Sequence, residues 1–403
     1  MYSRCTATLS FELPSNHRID RTGTPHAPCY NRELVICAST ASAAAVCPAQ
    51  STRVSREKLL SRAAELKVEF VPLHRNFGAE VLGVNLTKEQ DEATKVLLIA
   101  AMQEYDTLLF RGQELHPRDE ERFLTIFPHD EDALRDRRFC NAIFKERIPD
   151  HPLIVVRAHG AKLDNHFGLT IEGDPPNTDY RSVQPFYDSM LWHQDKSDDL
   201  TPPEISSMYM IQVPSKGGLT VFASAVTAYS NLPIAERQRV RKLRTINARV
   251  ATYVGGMDIS EDGIRRLDDI EASIAKAKEK GVWEEQQPNP FVVVDPATGK
   301  ESILFGLQTL YTFEGMDRKA TDELLTSILA RATAESEVYQ LEWRPHDFAV
   351  WANRRIMHSS TPRKHYLGKS LRLYHLVFLD STAPLVPADE SLAPDGAGHA
   401  VHA

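Results

Sequence analysis

The residues of this chain with the clearest capacity for chemistry are a histidine and an aspartate two positions apart, His193 and Asp195. They lie in the run Trp-His-Gln-Asp at 192–195. On a strand, residues two apart point to the same face, so this imidazole and this carboxylate could reach one metal ion. A His-x-Asp pair alone is weak evidence, because chance or a buried hydrogen-bonded pair explains most such cases.

A second histidine would turn the pair into a set of two histidines and one carboxylate. Such a set covers one face of an octahedral metal and leaves three positions for a chelating cosubstrate and oxygen. His358 is the best candidate, because it follows a predicted strand at 348–351 that runs into a polar turn. Three competitors, each of which could be an ordinary hydrogen-bonded histidine, are His346, His365 and His375.

Arg372 lies at the start of an apolar segment, 371–378, that predicts a buried strand. A guanidinium inside a barrel is costly unless it meets an anion. The planar fork of arginine suits a carboxylate, because it can donate two parallel hydrogen bonds. Arg372 is therefore a candidate to bind a carboxylate such as the distal one of 2-oxoglutarate.

Several motifs, taken in their order and spacing, resemble the taurine catabolism dioxygenase family. The resemblance extends from about residue 70 to residue 380. Each motif is modest by itself, and the match is strong because all of them occur in the family's order. The segments that carry it are Leu-Leu-Phe-Arg-Gly-Gln at 108–113, Trp-His-Gln-Asp at 192–195, Thr-Pro-Pro at 201–203, Pro-Ser-Lys-Gly-Gly-Leu-Thr-Val-Phe at 214–222, Trp-Arg-Pro-His-Asp-Phe-Ala-Val-Trp-Ala-Asn-Arg at 343–354, and His358.

The resemblance implies a mononuclear non-haem iron(II), 2-oxoglutarate-dependent dioxygenase with its metal on His193, Asp195 and His358. Thr220 matches the family's hydroxyl that bonds the distal carboxylate of 2-oxoglutarate, and Arg372 matches its arginine partner. The implied cofactors are Fe(II), 2-oxoglutarate as cosubstrate, and O2. The implied reaction hydroxylates a small organic molecule and releases succinate and CO2. Related halogenases lack the carboxylate ligand, so Asp195 favours hydroxylation, or oxidative cleavage that follows it.

Two positions depart from the taurine enzymes of the family, one of them the asparagine shortly before the His-x-Asp motif, near which this chain has Asp188 and Ser189. Those enzymes carry a second arginine four residues after the 2-oxoglutarate arginine, where it binds the sulfonate, whereas this chain has Leu376. The departure favours an uncharged or cationic substrate, or one whose anion is bound elsewhere. Residues 128–190 are longer than the family core requires and predict a different substrate lid. The candidate substrate contacts are His166, Tyr187, Asp188 and Lys196.

Three alternative functions stay open. A carnitine-pathway hydroxylase would share the iron centre and take a trimethylammonium substrate. Such enzymes carry an amino-terminal zinc domain, against which the lone cysteine of the body, Cys140, argues. A catalytically inactive jelly roll would serve as a binding module, but the retention of every candidate ligand opposes it. A metal-binding cupin isomerase would be expected to place more histidines close together on one strand pair.

The elements that must position these residues are mostly short strands. Helices are predicted at 55–66, 91–105, 117–127 and 317–334, and residues 128–190 give no clear pattern. Many short strands with helical insertions predict a mainly β fold, the double-stranded β-helix or cupin-like jelly roll. The predicted strands, each ended by turn residues, are 205–213, 219–223, 291–295, 302–306, 338–343, 348–351 and 371–378.

The catalytic domain is predicted to span residues 56–380. Charged, helix-favouring sequence at 234–285 predicts an insertion, either a lid or a contact of a homo-oligomer, and 270–280 is its clearest helix. Residues 381–403 are rich in Ala, Pro and Gly and predict a disordered tail. Residues 1–55 contain no lysine and few acids, so they predict either a disordered extension or an organellar transit peptide.

Composition limits the partners and the compartment. The chain has 403 residues and a formal net charge of −8, and its basic runs are short, so nucleic-acid binding is not expected. No stretch reaches the ~20 apolar residues of a bilayer span, so membrane insertion is not expected either. Four of the five cysteines lie in the first 50 residues, which predicts a reducing compartment for the body. That compartment is the cytoplasm, or a plastid or mitochondrion if the extension is a transit peptide.

Overall fold

The structure of the protein is a computed structural model, which describes residues 54–129, 146–159, 162–173, 190–249, 257–260, 263–266, 275, 279, 284–285, 288–381 and 383–392. The α-helices with bounds within these residues are α1 (Arg56–Glu65), α2 (Glu92–Tyr105), α3 (Pro117–Leu124), α4 (Ala225–Ser230), α5 (Ile234–Val240) and α6 (Arg318–Ala332). The strands are β1 (Glu69–Pro72), β2 (Ala79–Leu82), β3 (Thr107–Phe110), β4 (Arg147–Ile148), β5 (His151–His159), β6 (Leu163–His166), β7 (Leu169–Ile171), β8 (Ile205–Gln212), β9 (Thr220–Ser224), β10 (Arg244–Arg249), β11 (Met257–Ser260), β12 (Gly263–Arg266), β13 (Glu284–Glu285), β14 (Asn289–Pro290), β15 (Val292–Val294), β16 (Glu301–Ile303), β17 (Leu310–Phe313), β18 (Val338–Leu341), β19 (Asp347–Ala352), β20 (Ile356–Ser360) and β21 (Arg372–Leu379).

The helices α1, α2 and α6 are among those that begin at side chains that accept hydrogen bonds from backbone N–H groups of the first turn. Ser55 caps α1, Asp91 caps α2 and Asp317 caps α6. Such caps satisfy donors that have no partner within the helix, so they define where a helix starts. The sequence predicts helices at the same three residues. Of the helices in the described part of the chain, none is long and apolar enough to cross a membrane.

The largest sheet has eight strands in the order β1–β2–β3–β19–β8–β21–β5–β4. Its side chains alternate between two cores, as is expected of strands. Along β21, Leu373 and Val377 belong to a core that also contains residues of α1, α2 and α3. Tyr374 and Leu376 point the other way, into the interior of the molecule. The helices therefore cover one face of this sheet and leave the other free to meet a second sheet.

The second sheet is smaller and has the strand order β18–β9–β20. An isolated antiparallel bridge to His358 places His193 next to β20. Side chains of the two sheets share one apolar cluster, to which the large sheet contributes Met210 and the small sheet contributes Phe222 and Ile356. Two sheets that face each other across a common interior form a jelly roll, and the prediction of the fold class is confirmed.

The outer face of the small sheet has a core of its own. Ala223 of β9 and Met357 of β20 pack there with residues of α4 and α6, including Tyr229 and Leu325. Each of the two sheets is thus covered on its outer side. The interior between them is the place where polar side chains are most costly, so those found there need partners.

The prediction of a disordered tail from residue 381 is wrong for residues 383–392. They pack along β15, where Val294 N donates to Val386 O (2.8 Å) and Ala388 N donates to Val292 O (3.0 Å). Leu385 and Ala388 are buried. The backbone hydrogen bonds and these apolar contacts hold a segment whose composition alone predicts disorder. Residues 393–403 and 1–53 lie outside the described residues.

The predicted insertion at 234–285 begins as the helix α5 but continues as the strands β10, β11, β12 and β13. β10 pairs with β13, β14 and β17, so it joins the insertion to strands that follow it in the chain. Helix-favouring composition was outweighed here by strand pairing. Most of the helix predicted at 270–280 lies outside the described residues. Residues 128–190, which show no clear sequence pattern, contain the strands β4 to β7.

Candidate active site

The three predicted metal ligands lie together, with His358 on β20 and the other two on the segment next to it. His193 N donates to His358 O (3.0 Å) and His358 N donates to His193 O (2.9 Å), so the two residues form an antiparallel pair. Asp195 Oδ1 lies 3.5 Å from His193 Nε2 and 3.6 Å from His358 Nε2. Ligand atoms of all three lie within 4.8 Å of one another. Within the described part of the chain, no other group of three His, Cys, Asp or Glu residues does so.

Hydrogen bonds and burial prepare these side chains to bind a cation. The Nδ1 atom of His193 lies 2.7 Å from Leu191 O, to which it can donate, and this leaves the Nε2 lone pair directed at the site. Burial lowers the pKa of His358 to about 3, although the nearby Asp195 acts in the opposite direction. Burial by itself raises the pKa of Asp195, but His358 and His193 lower it to about 2. At neutral pH Asp195 is ionised and His358 is neutral, the forms that bind metals.

A buried carboxylate oxygen without a hydrogen-bond partner indicates whether these residues fit a metal. Asp195 Oδ2 is buried and has no hydrogen-bond partner among the described residues. A buried carboxylate oxygen without a partner is unfavourable, unless a cation or a donor occupies the space beside it. Two imidazoles and one carboxylate are a donor set that suits a divalent first-row metal such as Fe(II). The residues present therefore fit the implied ion.

The segment that carries His193 and Asp195 is not a strand, contrary to the expectation that the pair lies on one. His193 makes an isolated bridge, and Asp195 lies in a turn. The residue between them, Gln194, is fully buried and is fixed from one side. Its Nε2 donates to Ile303 O (2.6 Å), and its Oε1 accepts from Phe305 N (3.1 Å). Sequence reasoning missed Gln194, for which the one available signal was a polar residue placed between two ligands.

Thr220, the first residue of β9, lies on the same inner face as His358. His358 is opposite Phe222 and Ser360 is opposite Thr220 in the antiparallel pair β9–β20. Thr220 and His358 are therefore about 7 Å apart along the strands. The buried Thr220 hydroxyl accepts a hydrogen bond from Trp343 Nε1 (2.9 Å). Its own hydrogen is directed away from the indole and can be donated to a carboxylate.

Arg372, the first residue of β21, is only 2% exposed. Its guanidinium lies 4.3 Å from the ring centroid of Tyr374 and 5.5 Å from that of Tyr366. Among the described residues it makes one weak polar contact, to Met208 Sδ at 4.0 Å, and its Nε makes none. Aromatic faces favour a cation but do not replace the hydrogen bonds that burial removes. Arg372 is thus a buried cation without an anionic partner among the described residues.

The loop before β9 approaches Arg372 closely because residue 218 is a glycine. Gly218 has a φ of +75°, a conformation that residues with a side chain rarely adopt. A Cβ at this position would lie 2.6 Å from Pro214 Cγ and 3.2 Å from Arg372 Nε. The absence of a side chain therefore lets the loop pass beside the guanidinium without a clash.

Two residues define the side of the interior where a substrate is expected. Leu376 is half-buried and points to the same face of β21 as Arg372. Lys196, a predicted substrate contact, has its Nζ 2.7 and 2.9 Å from the two carboxylate oxygens of Asp380. The ammonium also lies 5.3 Å from the ring centroid of Phe378. A protein carboxylate thus balances the charge of Lys196, which lessens its value for binding a substrate anion.

The structure places His166 on the other side of the large sheet. Its Nε2 lies 2.8 Å from His375 Nε2, and His375 Nδ1 lies 2.7 Å from Glu120 Oε1 of α3. His375 is on the helix-covered face of β21, opposite to the face of Arg372. His166 is therefore not brought to the metal ligands, and His375, a competitor for the third ligand position, has other partners. The two remaining predicted substrate contacts lie outside the described residues: Tyr187 and Asp188.

Comparison with known proteins places this site in a family. The model of the family "Taurine catabolism dioxygenase TauD, TfdA" matches residues 69–375. An alkylsulfatase of Acinetobacter baylyi is 26% identical over 290 residues, which cover 70% of this chain and 76% of the relative. An (S)-phenoxypropionate/alpha-ketoglutarate-dioxygenase of Sphingobium herbicidovorans is 26% identical over 295 residues, which cover 73% of this chain and 89% of the relative.

The fold is also found in solved structures. The crystal structure of a taurine dioxygenase from Burkholderia xenovorans matches with a TM-score of 0.57 and 20% sequence identity, over 79% of this chain and 91% of that chain. The family match covers most of the sequence, and it includes all three candidate ligands together with Thr220 and Arg372. The chain belongs to the taurine catabolism dioxygenase (TauD, TfdA) family and is a 2-oxoglutarate-dependent dioxygenase.

Proposed function

We propose that the chain binds Fe(II) on His193, Asp195 and His358, and that Arg372 and Thr220 hold the distal carboxylate of 2-oxoglutarate. When bound, these two cofactors supply the oxidising chemistry, in which O2 gives one oxygen atom to the succinate and one to a C–H bond of the substrate, with loss of CO2. The reaction hydroxylates a small organic molecule. The observation that carries the proposal is Arg372, a buried guanidinium without a carboxylate partner among the described residues.

The protein residues contribute charge and orientation. Asp195 provides one negative charge to the metal, and His358 provides a neutral nitrogen because its pKa is lowered to about 3 by burial. Arg372 can donate two parallel hydrogen bonds to a carboxylate, and Thr220 can donate one. These contacts would hold the far carboxylate of a dicarboxylate and so restrict the orientation of the cosubstrate in the site.

For the substrate we propose a molecule other than a taurine-like sulfonate. The position that resembles the sulfonate arginine of the taurine enzymes is Leu376, which presents only methyl groups to the interior. The nearby cation, Lys196, is held by Asp380. An uncharged or cationic molecule fits this face better than a small dianion or sulfonate, because no described cation beyond Arg372 is directed at it from β21.

A screen for succinate release tests the proposal. The chain would be incubated with Fe(II), 2-oxoglutarate and O2 and with single candidate substrates: uncharged aromatic compounds, trimethylammonium compounds, carboxylic acids and taurine. The Asp195→Ala variant would be measured alongside as the control. We expect at least one compound to raise succinate release only in the unmodified chain, and we expect taurine to have no effect. Equal succinate release by the variant, or taurine as the best substrate, would contradict the proposal.

A further inference from the structure

The metal ligand Asp195 is not held by strand pairing. The antiparallel bridge ends at His193, and Asp195 begins a turn. A turn leaves backbone N–H and C=O groups without the ladder partners that a strand provides, and buried groups of this kind must find others. Asp195 Oδ2 adds no anchor, since it has no hydrogen-bond partner among the described residues.

The side chain of Asn353 supplies the missing backbone partners. Asp195 N donates to Asn353 Oδ1 (2.8 Å), and Asn353 Nδ2 donates to Asp195 O (2.9 Å). The second hydrogen of Nδ2 is donated to Pro203 O (3.1 Å). The amide orientation follows from its partners, because the oxygen must face the N–H group and the nitrogen must face two carbonyl oxygens. A side-chain amide thus pairs with Asp195 as the peptide group of a neighbouring strand would.

Asn353 is itself fixed on both sides. It is 0% exposed, and its backbone N donates to Glu204 O (2.9 Å). The next residue, Arg354, donates from Nε and a terminal nitrogen to Pro202 O (3.0 and 2.6 Å). Arg355 donates to the buried carboxylate of Asp106 (2.7 Å). The turn between β19 and β20 is therefore held by buried polar contacts and gives Asn353 a defined position.

We propose that Asn353 is a positioning residue that holds the carboxylate of Asp195 where the two histidines can share a metal with it. The inference rests on the proposed metal role of Asp195. Asn353 does not touch the metal; it acts through the backbone of the ligand. Groups that orient a metal ligand in this way commonly change metal affinity or activity by about 10- to 100-fold when they are removed.

The test uses Co(II) as the probe, added without 2-oxoglutarate, so that activity is not the readout. The dissociation constant and the visible ligand-field spectrum would be measured for the unmodified chain, for Asn353→Ala and for Asn247→Ala. Asn247 is a matched control, because it is 3% exposed and, among the described residues, its Nδ2 donates to Thr245 Oγ1 (3.2 Å) and to none of the three candidate ligands. If Asn353→Ala does not fold, Asn353→Ser takes its place.

We expect Asn353→Ala to weaken Co(II) binding by about 10- to 100-fold and to change the spectrum, because the carboxylate no longer has one position. Asn247→Ala should keep the spectrum and an affinity for Co(II) within about threefold of the unmodified chain. We expect this even if its melting temperature falls as much as that of Asn353→Ala. A Co(II) affinity and spectrum of Asn353→Ala that match the unmodified chain would overturn the proposal. If the unmodified chain binds no Co(II), or binds it equally well after Asp195→Ala, the proposed metal site itself fails.

Discussion

The small sheet and the large sheet contribute different kinds of side chain to the interior that they share. The small sheet brings His358 and Thr220, and the backbone pairing with His358 brings His193 beside them. The large sheet brings Arg372 and Leu376 at alternate positions of one strand. The candidate metal ligands therefore depend on a backbone arrangement that involves several segments. Arg372 and Leu376 of the large sheet, in contrast, are single side chains on one strand, and each could be substituted without a change in the other.

This difference explains how one half of a site can be kept while the other changes. Loss of the pairing between His193 and His358 would move two ligands at once. A substitution at Leu376 changes only what one strand position presents to the interior, because neighbouring positions on the strand point elsewhere. The comparison predicts that variants of the two sheets affect different quantities.

The largest effect is expected from Asp195→Ala. The variant removes the only carboxylate of the candidate metal site, so we expect metal binding and substrate-dependent succinate release to fall below detection. Mn(II) binding measured by electron paramagnetic resonance and succinate measured by mass spectrometry check this. A variant that retains full activity would refute the assignment of Asp195 as a ligand.

Arg372→Leu should weaken the binding of 2-oxoglutarate by about 100-fold, because two charge-assisted hydrogen bonds are lost. The affinity for Mn(II) alone should stay within about threefold, since Arg372 belongs to the other sheet. Calorimetric titration of the Mn(II)-loaded chain without oxygen measures the first quantity.

Arg241→Leu serves as the control for Arg372→Leu. Unlike Arg372, Arg241 has protein partners, Glu301 and Ala388 O, and it lies outside the jelly-roll interior. We expect it to leave the affinity for 2-oxoglutarate within about threefold. A parallel loss of Mn(II) affinity in Arg372→Leu would show that the two sheets do not act separately.

Thr220→Val sharpens the comparison, because Thr220 lies on the small sheet and is expected to serve the cosubstrate. Removal of the hydroxyl should weaken 2-oxoglutarate binding by about tenfold and leave Mn(II) binding within about threefold. The same calorimetric titration measures it. An unchanged affinity for 2-oxoglutarate would mean that the hydroxyl serves only as the acceptor for Trp343.

The smallest effect on the metal and cosubstrate is expected from Leu376→Arg. The new side chain would start four strand positions from Arg372, about 13 Å along the strand, so it would not share the carboxylate partner of Arg372. We expect the affinities for Mn(II) and 2-oxoglutarate to stay within about threefold while the ranking of substrates in the succinate screen changes. A large loss of 2-oxoglutarate binding would contradict the separation of the two halves.

Much of the fold could be predicted because local patterns carry it. The apolar segment at 371–378 corresponds to β21, and the capping residues Asp91 and Asp317 correspond to the starts of α2 and α6. β20 was not predicted, although it carries His358. Four of its five residues are buried, so it lacks the alternation of apolar and polar residues that marks a half-exposed strand.

The residues of the candidate site could be predicted from the sequence, but the contacts that fix their positions could not. His193, Asp195 and His358 could be chosen because their side chains suit a metal and their motifs resemble those of a family. The role of Asn353 could not be read from spacing, because it lies 158 residues from Asp195 and acts on its backbone. Contacts of this kind arise from the tertiary arrangement of two turns. The substrate contacts were the least predictable, since they depend on irregular segments.

The most direct test of the account is the addition of Fe(II) and then 2-oxoglutarate to the purified chain in the absence of oxygen. If the three ligands bind iron and Arg372 orients the cosubstrate against it, a weak charge-transfer absorption band should develop in the visible range. The band should require both additions and should be absent from Asp195→Ala. No band in the unmodified chain, or the same band in the variant, would contradict the central claim that His193, Asp195 and His358 form the metal centre of this dioxygenase.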